Sequence, residues 1–173
     1  MSRLRAGVIG FGWAGRQHMD AYARHPDVDL VAIAGLEDGP RAELGALHGI
    51  DAAGQFRGYQ EMIGGAGLDV ISVATPTALH APIAVAALDA GIHVLSEKPL
   101  AESVERARAM VAAARANDRV LDVSFNHRRR GDVKALKQLV DDGLLGDIYY
   151  AKAGWLRRSG IPGLGTWFTQ RSG

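Results

Sequence analysis

Short apolar runs alternate with helical segments along most of this chain. The runs are rich in Val, Ile and Ala and carry few charges, which is typical of strands buried on both faces of a parallel sheet. We expect strands at residues 4–10, 28–34, 51–55, 69–74, 92–96 and 120–124. We expect helices between them at residues 13–25, 40–48, 59–63, 79–90 and 103–117. This alternation predicts an α/β fold whose parallel sheet is doubly wound, with helices on both faces.

The pattern changes after residue 124. A polar stretch is followed by a predicted amphipathic helix at residues 132–141 and a predicted strand at residues 147–156. A strand without a partner would expose a long edge of unpaired backbone groups. We therefore divide the chain into a first domain, 1–124, and the truncated beginning of an α+β second domain, 125–173. The strand then pairs either with another copy in a homo-oligomer or with the remainder of a longer protein.

Composition narrows the class of protein. Hydrophobic residues make up 47% of the chain and charged residues 23%, which indicates a globular protein. The net charge of +1 gives no field for nucleic acid or a membrane surface, so we expect neither partner. The sequence has no cysteine, which excludes disulfides and thiolate metal sites, and we expect no metal. No stretch looks like a signal peptide or a membrane span, so a cytoplasmic location is the default expectation.

A glycine-rich turn joins the first predicted strand to the first predicted helix. Its glycines follow the spacing G-x-G-x-x-G. In dinucleotide-binding proteins the first glycine permits the tight turn, the second lets a diphosphate approach the backbone, and the third lets the helix pack closely on the sheet. The order of strand, turn and helix favours a Rossmann-type dinucleotide site over a purely structural turn. We expect its contacts to come from Gly10, Phe11, Gly12, Trp13, Ala14 and Gly15.

The carboxylate that binds the adenosine ribose in such sites is expected about 20 residues beyond the turn. Residue 35 is glycine, and Glu37 is the nearest carboxylate. Glu37 is therefore the candidate ribose contact, although the same residues suit a solvated turn before a helix equally well. The predicted cofactor is accordingly NAD or NADP, without a preference between them.

Two later strands end in polar residues at the same edge of the predicted sheet. Thr75, Pro76 and His80 follow the fourth strand and are candidates for contacts with a nicotinamide or its ribose. The alternative is an ordinary strand-to-helix turn with a threonine cap. Glu97 and Lys98 follow the fifth strand. A lysine held there between apolar walls would be suited to proton transfer, and the alternative is a surface lysine in a turn.

Together these segments resemble the Gfo/Idh/MocA oxidoreductases. The glycine turn, the strand ending in Ala-Thr-Pro and above all the Glu-Lys-Pro segment at residues 97–99 carry the resemblance. Residues 125–128, 143–146 and 155–168 fit the same family. The resemblance implies a Rossmann domain followed by a substrate domain on a large open sheet. It also implies hydride transfer between a nicotinamide cofactor and a sugar, a polyol or a related hydroxy or carbonyl compound.

The resemblance implies a role for each matching residue. Lys98 would be the catalytic lysine that relays the proton, and it would also contact the substrate. Asn126 and Arg128 would lie near the substrate. The residues expected beside the nicotinamide half of the cofactor are Thr75, Pro76, His80 and Glu97.

One family feature is not found in this sequence. Family members carry a downstream Asp-x-x-x-His segment whose histidine partners the lysine, and none of the six histidines stands in such a motif. We therefore keep a second hypothesis, in which the chain is a non-catalytic nucleotide-binding module or regulatory subunit. We interpret His18, His25 and His48 as ordinary helix residues.

Two further groups of residues have simple interpretations. The three consecutive arginines at residues 128–130 suit a solvated hinge better than a nucleic-acid contact, because no aromatic residues are interleaved with them. Trp155, Trp167 and Phe168 suit either a sugar-binding site or an interface between domains or subunits, and we favour the interface.

Overall fold

The computed structural model describes residues 2–156 and 158–160, and a six-stranded parallel sheet dominates it. The strands are β1 (Leu4–Ile9), β2 (Val28–Ala34), β3 (Gln55–Phe56), β4 (Val70–Val73), β5 (His93–Ser96) and β6 (Leu121–Val123). The helices are α1 (Trp13–Arg24), α2 (Asp38–His48), α3 (Tyr59–Gly65), α4 (His80–Asp89), α5 (Val104–Ala116) and α6 (Gly131–Asp141). Short 3-10 turns cover Ala52–Gly54, Thr77–Leu79 and Asn126–Arg129.

The strand order across the sheet is β3-β2-β1-β4-β5-β6. The chain begins at the centre, winds outward to β3, and then returns to place β4 on the other side of β1. This order is that of doubly wound dinucleotide-binding sheets, and the predicted fold class is confirmed. The winding direction reverses between β1 and β4, where such sheets open a crevice at the carboxyl ends of their strands.

Two apolar clusters cover the two faces of this sheet. One cluster joins Val8 and Ile33 of the strands to Met19 of α1 and Leu44 of α2. The other contains Ile9, the residue next to Val8, and packs the strands against α3, α4 and α5. Successive residues of a strand point to opposite faces, so neighbouring apolar residues are both buried only when helices cover both sides. The strands are therefore continuous apolar runs in the sequence because helices cover both faces of the sheet.

The third strand is much shorter than the expected strand at residues 51–55. Its first part forms the 3-10 turn Ala52–Gly54, because the Asp51 carboxylate accepts a hydrogen bond from the Gly54 amide at 3.1 Å. Only the two residues of β3 then pair with β2. The region around Gly54 is also crowded, since a Cβ added there would lie 2.4 Å from the Val31 carbonyl oxygen.

Contacts divide the chain into two units, Met1–Phe125 and Asn126–Gly173. The second unit contains α6, close to the expected helix at residues 132–141. Its expected strand at residues 147–156 is wrong, because this segment has no regular structure. No strand of the described residues pairs with it, so its backbone lacks the ladder of hydrogen bonds that a strand requires.

Part of the second unit lies outside the described residues, including Trp167 and Phe168. Trp155 is described, and its ring meets the His127 ring edge to face with 5.1 Å between centroids. Within residues 2–156 and 158–160, no helix is both long enough and apolar enough to span a bilayer.

The cap of α5 provides a test of this local structure. The Ser103 hydroxyl accepts a hydrogen bond from the Arg106 amide at 3.2 Å. We expect Ser103→Ala to lower the free energy of unfolding by about 1 kcal/mol, because a helix-end amide loses its acceptor. Ser103→Gly is the matched control and should cost only a few tenths of a kcal/mol. Urea unfolding measures both, and equal losses in the two variants would contradict the capping role.

Candidate functional site

Two glycines of the turn after β1 allow backbone segments to touch. Gly10 has a φ of 105°, and a Cβ added there would lie 2.3 Å from the Ala74 carbonyl oxygen. A Cβ added at Gly15 would lie 2.0 Å from the Gly10 carbonyl oxygen. Neither position has room for a side chain, since real Cβ atoms do not approach other atoms so closely. These glycines therefore bring β1, β4 and α1 together at the crevice.

The middle glycine has the opposite environment. A Cβ added at Gly12 would meet nothing within 4 Å, so this part of the turn faces open space. Gly12 is also the N-cap residue of α1, and no side chain caps that helix end. The amides of Trp13 and Ala14 thus lie in the first turn, where helices lack internal acceptors and attract anions. This arrangement fits a diphosphate, and the exposed Trp13 side chain borders it.

The turn after β4 carries a polar atom without a partner. The Thr75 hydroxyl oxygen is buried, and it makes no hydrogen bond within the described part of the chain. Buried hydroxyl groups are normally paired, because the lost hydrogen bond to water costs free energy. Thr75 adjoins Gly10, whose added Cβ would lie 3.2 Å from the Thr75 amide nitrogen. A ligand group in the crevice would give this hydroxyl a partner, and the exposed Pro76 follows it in the same turn.

His80 lies behind this turn rather than in an open position. Its side chain is 1% exposed. The Nε2 atom lies 2.9 Å from the Thr75 carbonyl oxygen, and the Nδ1 atom lies 2.9 Å from the Pro99 carbonyl oxygen. Both ring nitrogens are therefore used within the protein. His80 joins the turn after β4 to the turn after β5.

The turn after β5 presents Lys98 to solvent. Its side chain is exposed, so the expectation of apolar walls around it is wrong for the described residues. Lys98 lies two residues beyond the end of β5, in the turn that follows the strand. The Lys98 amide donates a hydrogen bond to Glu97 Oε2 at 3.1 Å. The Lys98–Pro99 peptide bond is cis.

A buried polar network, which the sequence analysis missed, connects α1 to this turn. His18 Nδ1 lies 2.8 Å from the Ser72 hydroxyl of β4, and His18 Nε2 lies 3.3 Å from Glu97 Oε1. The Tyr22 hydroxyl lies 2.8 Å from the same Ser72 oxygen. Burial raises the pKa of Tyr22, although its hydrogen bond to Ser72 opposes the shift. The available signal was the four-residue spacing of His18 and Tyr22, which places both on one face of α1.

The end of β2 explains the unexpected glycine at residue 35. A Cβ added at Gly35 would lie 2.3 Å from a ring carbon of Phe11, so the Phe11 ring occupies the space of any side chain there. Glu37 is the exposed N-cap residue of α2. Arg41 lies beside it, donates to the Gly35 carbonyl oxygen at 2.8 Å, and forms an ion pair with Asp38.

Asn126 and Arg128 belong to the second unit. Both lie in the 3-10 turn Asn126–Arg129 and are exposed. The first unit alone therefore brings together the glycine turn, Thr75, Pro76 and Glu97. Within the described residues, no group of three or more histidine or carboxylate side chains has the geometry to hold a metal ion.

Comparison with known proteins identifies the family. Residues 4–125 match the group described as "Oxidoreductase family, NAD-binding Rossmann fold". The chain belongs to the Gfo/Idh/MocA oxidoreductase family. The resemblance carried by the glycine turn and the Glu-Lys-Pro segment is thereby confirmed. The cofactor class is that of the family, a nicotinamide dinucleotide.

Individual relatives show the same relationship. D-glucoside 3-dehydrogenase of Escherichia coli is 37% identical over 171 residues, which cover 98% of this chain and 48% of that protein. A scyllo-inositol 2-dehydrogenase (NADP(+)) of Bacillus subtilis is 34% identical over 135 residues, covering 78% of this chain and 40% of that protein. The crystal structure of the WlbA dehydrogenase from Bordetella pertussis, in complex with NADH and UDP-GlcNAcA, matches with a TM-score of 0.79 and 30% identity. That match covers 85% of this chain and 45% of the WlbA chain. This chain spans about half the length of the curated relatives it matches.

The glycine contacts predict different effects at two positions of the turn. Gly15→Ala should lower the free energy of unfolding by about 1–3 kcal/mol, because the new methyl group overlaps a backbone oxygen that cannot move freely. This loss should exceed the gain of up to ~1 kcal/mol that alanine brings to a helix. Gly12→Ser is the control, since its side chain enters open space and serine is a good N-cap, and stability should change by less than ~0.5 kcal/mol. Chemical unfolding of both variants decides, and a Gly15→Ala protein as stable as the parent would contradict the close contact.

Proposed function

We propose that this chain is the dinucleotide-binding part of an NAD(P)-dependent oxidoreductase that acts on a sugar, a polyol or a related hydroxy or carbonyl compound. The observation that carries the proposal is the meeting of three strand ends at one crevice. They bring the open Gly12 backbone, the unpartnered Thr75 hydroxyl and the Glu97–Lys98 turn to the same edge of the sheet. The sugar and polyol dehydrogenases among the relatives support the substrate class.

The glycine turn would hold the diphosphate of the dinucleotide. The amides of the first turn of α1 donate to phosphate oxygens, and Gly12 lets those oxygens approach the backbone. Thr75 and Pro76 would contact the nicotinamide half, where the Thr75 hydroxyl gains the partner that it lacks. His80 and Glu97 would act on this half by holding the two turns in place. A bound nicotinamide would supply the hydride acceptor or donor.

Lys98 would handle the proton. When an alcohol carbon loses hydride, its hydroxyl must lose a proton, and a positioned amine can accept it. Lys98 is exposed in the turn after β5, so a substrate can reach its Nζ atom. Asn126 and Arg128 are proposed as further substrate contacts because they match the family pattern, and they belong to the second unit.

The preference between NAD and NADP depends on the end of β2. Glu37 can accept a hydrogen bond from the ribose 2′-hydroxyl of NAD, whereas Arg41 can pair with the 2′-phosphate of NADP. Both side chains lie at this end of the sheet. The Phe11 ring covers Gly35, the position where a carboxylate would ordinarily bind the ribose and favour NAD over NADP. Both cofactors therefore belong in the binding experiment.

Self-association through residues 147–156 stays a prediction of the sequence pattern. The segment is exposed and contains large apolar side chains, with Tyr149 98% exposed and Leu156 101% exposed. A second copy that offered a strand edge would pair with this segment, which pairs with no strand among the described residues.

Nucleotide binding can be tested on the chain itself. We expect NADH or NADPH to bind to the parent chain and to bind at least about tenfold more weakly to Gly12→Ser, because the new side chain enters the diphosphate space. Equilibrium titration by nucleotide fluorescence measures both affinities, and Ser103→Gly at the start of α5 serves as a control outside the glycine turn. If neither nucleotide binds to the parent chain, the proposed function is wrong.

The role of Lys98 requires the protein at its full natural length. Lys98→Met keeps much of the side-chain volume but removes the amine, and we expect kcat to fall by about 10²–10⁴-fold while nucleotide affinity stays within about twofold. Lys134→Met, an exposed lysine on α6, is the matched control. Normal turnover in Lys98→Met would remove Lys98 from the reaction. Nucleotide binding by the parent without turnover of any sugar or polyol would instead favour the non-catalytic module.

A further inference from the structure

The network of His18, Ser72, Tyr22 and Glu97 is more extensive than the fold requires. It links three elements: α1, the middle of β4 and the end of β5. The Ser72 side chain is fully buried in the sheet, and the His18 and Glu97 side chains are only 11% and 15% exposed. Buried polar groups cost free energy unless they are paired. If these positions served packing alone, apolar side chains would serve equally well.

The chemistry of the four groups gives the network one consistent direction. A carboxylate only accepts hydrogen bonds, so His18 Nε2 must donate to Glu97 Oε1. In a neutral imidazole the other nitrogen then accepts, so the Ser72 hydroxyl donates to His18 Nδ1. The Ser72 oxygen can in turn accept from the Tyr22 hydroxyl. Because burial raises the pKa of Tyr22, this residue keeps the proton that it donates.

The chain of donors ends at Glu97, the residue before the proposed proton carrier Lys98. Glu97 accepts from His18 on one carboxylate oxygen and from the Lys98 amide on the other, at 3.3 Å and 3.1 Å. Both oxygens are therefore held, and with them the backbone from which the Lys98 side chain starts. His18 also lies on α1, the helix whose first turn is proposed to hold the diphosphate.

We propose that His18 is a positioning residue: as the neutral Nε2–H tautomer, oriented by Ser72 and Tyr22, it holds Glu97 and thereby sets the place of Lys98 relative to the glycine turn. This inference rests on the proposed function of Lys98. It connects the two ends of the proposed dinucleotide site through one helix. The first turn of α1 would hold the diphosphate, and His18 on the same helix holds Glu97 beside Lys98. His18 is not a catalytic residue in this role, because it contacts Glu97 rather than substrate.

The tautomer can be measured without any enzyme activity. In the ¹⁵N-labelled chain, two-bond ¹H–¹⁵N correlation spectra distinguish protonated from unprotonated ring nitrogens, and comparison with His18→Gln assigns the His18 signals. We expect a protonated Nε2 and an unprotonated Nδ1 near neutral pH. A protonated Nδ1 would overturn the proposal, because Nδ1 would then donate to the Ser72 oxygen instead of accepting from its hydroxyl. Ser72→Ala removes only one hydroxyl, so it should leave Nε2 protonated beside Glu97 and deprive Nδ1 of its donor.

The effect on the lysine is measured by steady-state kinetics with the protein at full natural length. His18→Phe removes both ring nitrogens. We expect kcat to fall about tenfold, because Glu97 loses one buried hydrogen-bond partner, while KM for the nucleotide changes less than about twofold. His18→Gln retains an amide donor near the Nε2 position and should recover most of this loss. His25→Phe, the exposed histidine at the end of the same helix, is the matched control and should behave as the parent.

The results of these variants distinguish a positioning role of His18 from a purely structural role. They also distinguish failure of this proposal from failure of the proposed function. If His18→Phe lowers thermal stability but leaves kcat unchanged, or if His18→Gln recovers nothing, His18 does not position Lys98. If His18→Phe does not fold, Ser72→Ala applies the same test, and unchanged kcat in that variant overturns the proposal. If Lys98→Met retains turnover, the proposed role of Lys98 fails and the positioning role of His18 fails with it, whereas the tautomer of His18 remains a separate observation.

Discussion

Two backbone contacts at the glycine turn are the constraint on which the rest of the site depends. The Gly10 Cα faces the Ala74 carbonyl, and the Gly15 Cα faces the Gly10 carbonyl, at distances that exclude any Cβ atom. These contacts place the start of α1 directly over β1 and β4. The first turn of α1 therefore lies against the turn after β1, and His18 further along the same helix reaches Ser72 in the middle of β4. A larger residue at either position would separate the helix from the sheet and alter both features.

Polar groups inside this part of the molecule fall into two kinds. His80 and the His18 network find partners within the chain, and they connect the turns after β4 and β5 to each other and to α1. The Thr75 hydroxyl is buried without such a partner in the described residues. The first kind gives the crevice a defined shape, because each hydrogen bond would be lost if a turn moved. The second kind has no partner among the described residues, which is unusual for a buried hydroxyl group.

Local sequence patterns predicted the fold well where each element depends on its own residues. The apolar runs of the strands and the glycine spacing depend on burial and backbone geometry within a few residues, and the structure contains both. The prediction failed where the outcome depended on a partner. Residues 147–156 have the composition of a strand but no neighbouring strand. Within residues 51–55 a 3-10 turn forms instead of a strand, because the Asp51 carboxylate accepts a hydrogen bond from the Gly54 amide. Lys98 was expected between apolar walls because its strand is buried, but the strand ends before it.

The sequence by itself thus determined the family, the fold class and the three strand ends that carry polar residues. Each of these follows from a short continuous pattern of residues. Only the tertiary structure decided what those residues contact. His18 and Glu97 are 79 positions apart, and their contact depends on the register of β4 and β5 and on which face of α1 meets the sheet. Likewise the Phe11 ring fills the space above Gly35, which explains the missing carboxylate. Such contacts follow from the packing of whole elements, and no local pattern of residues encodes them.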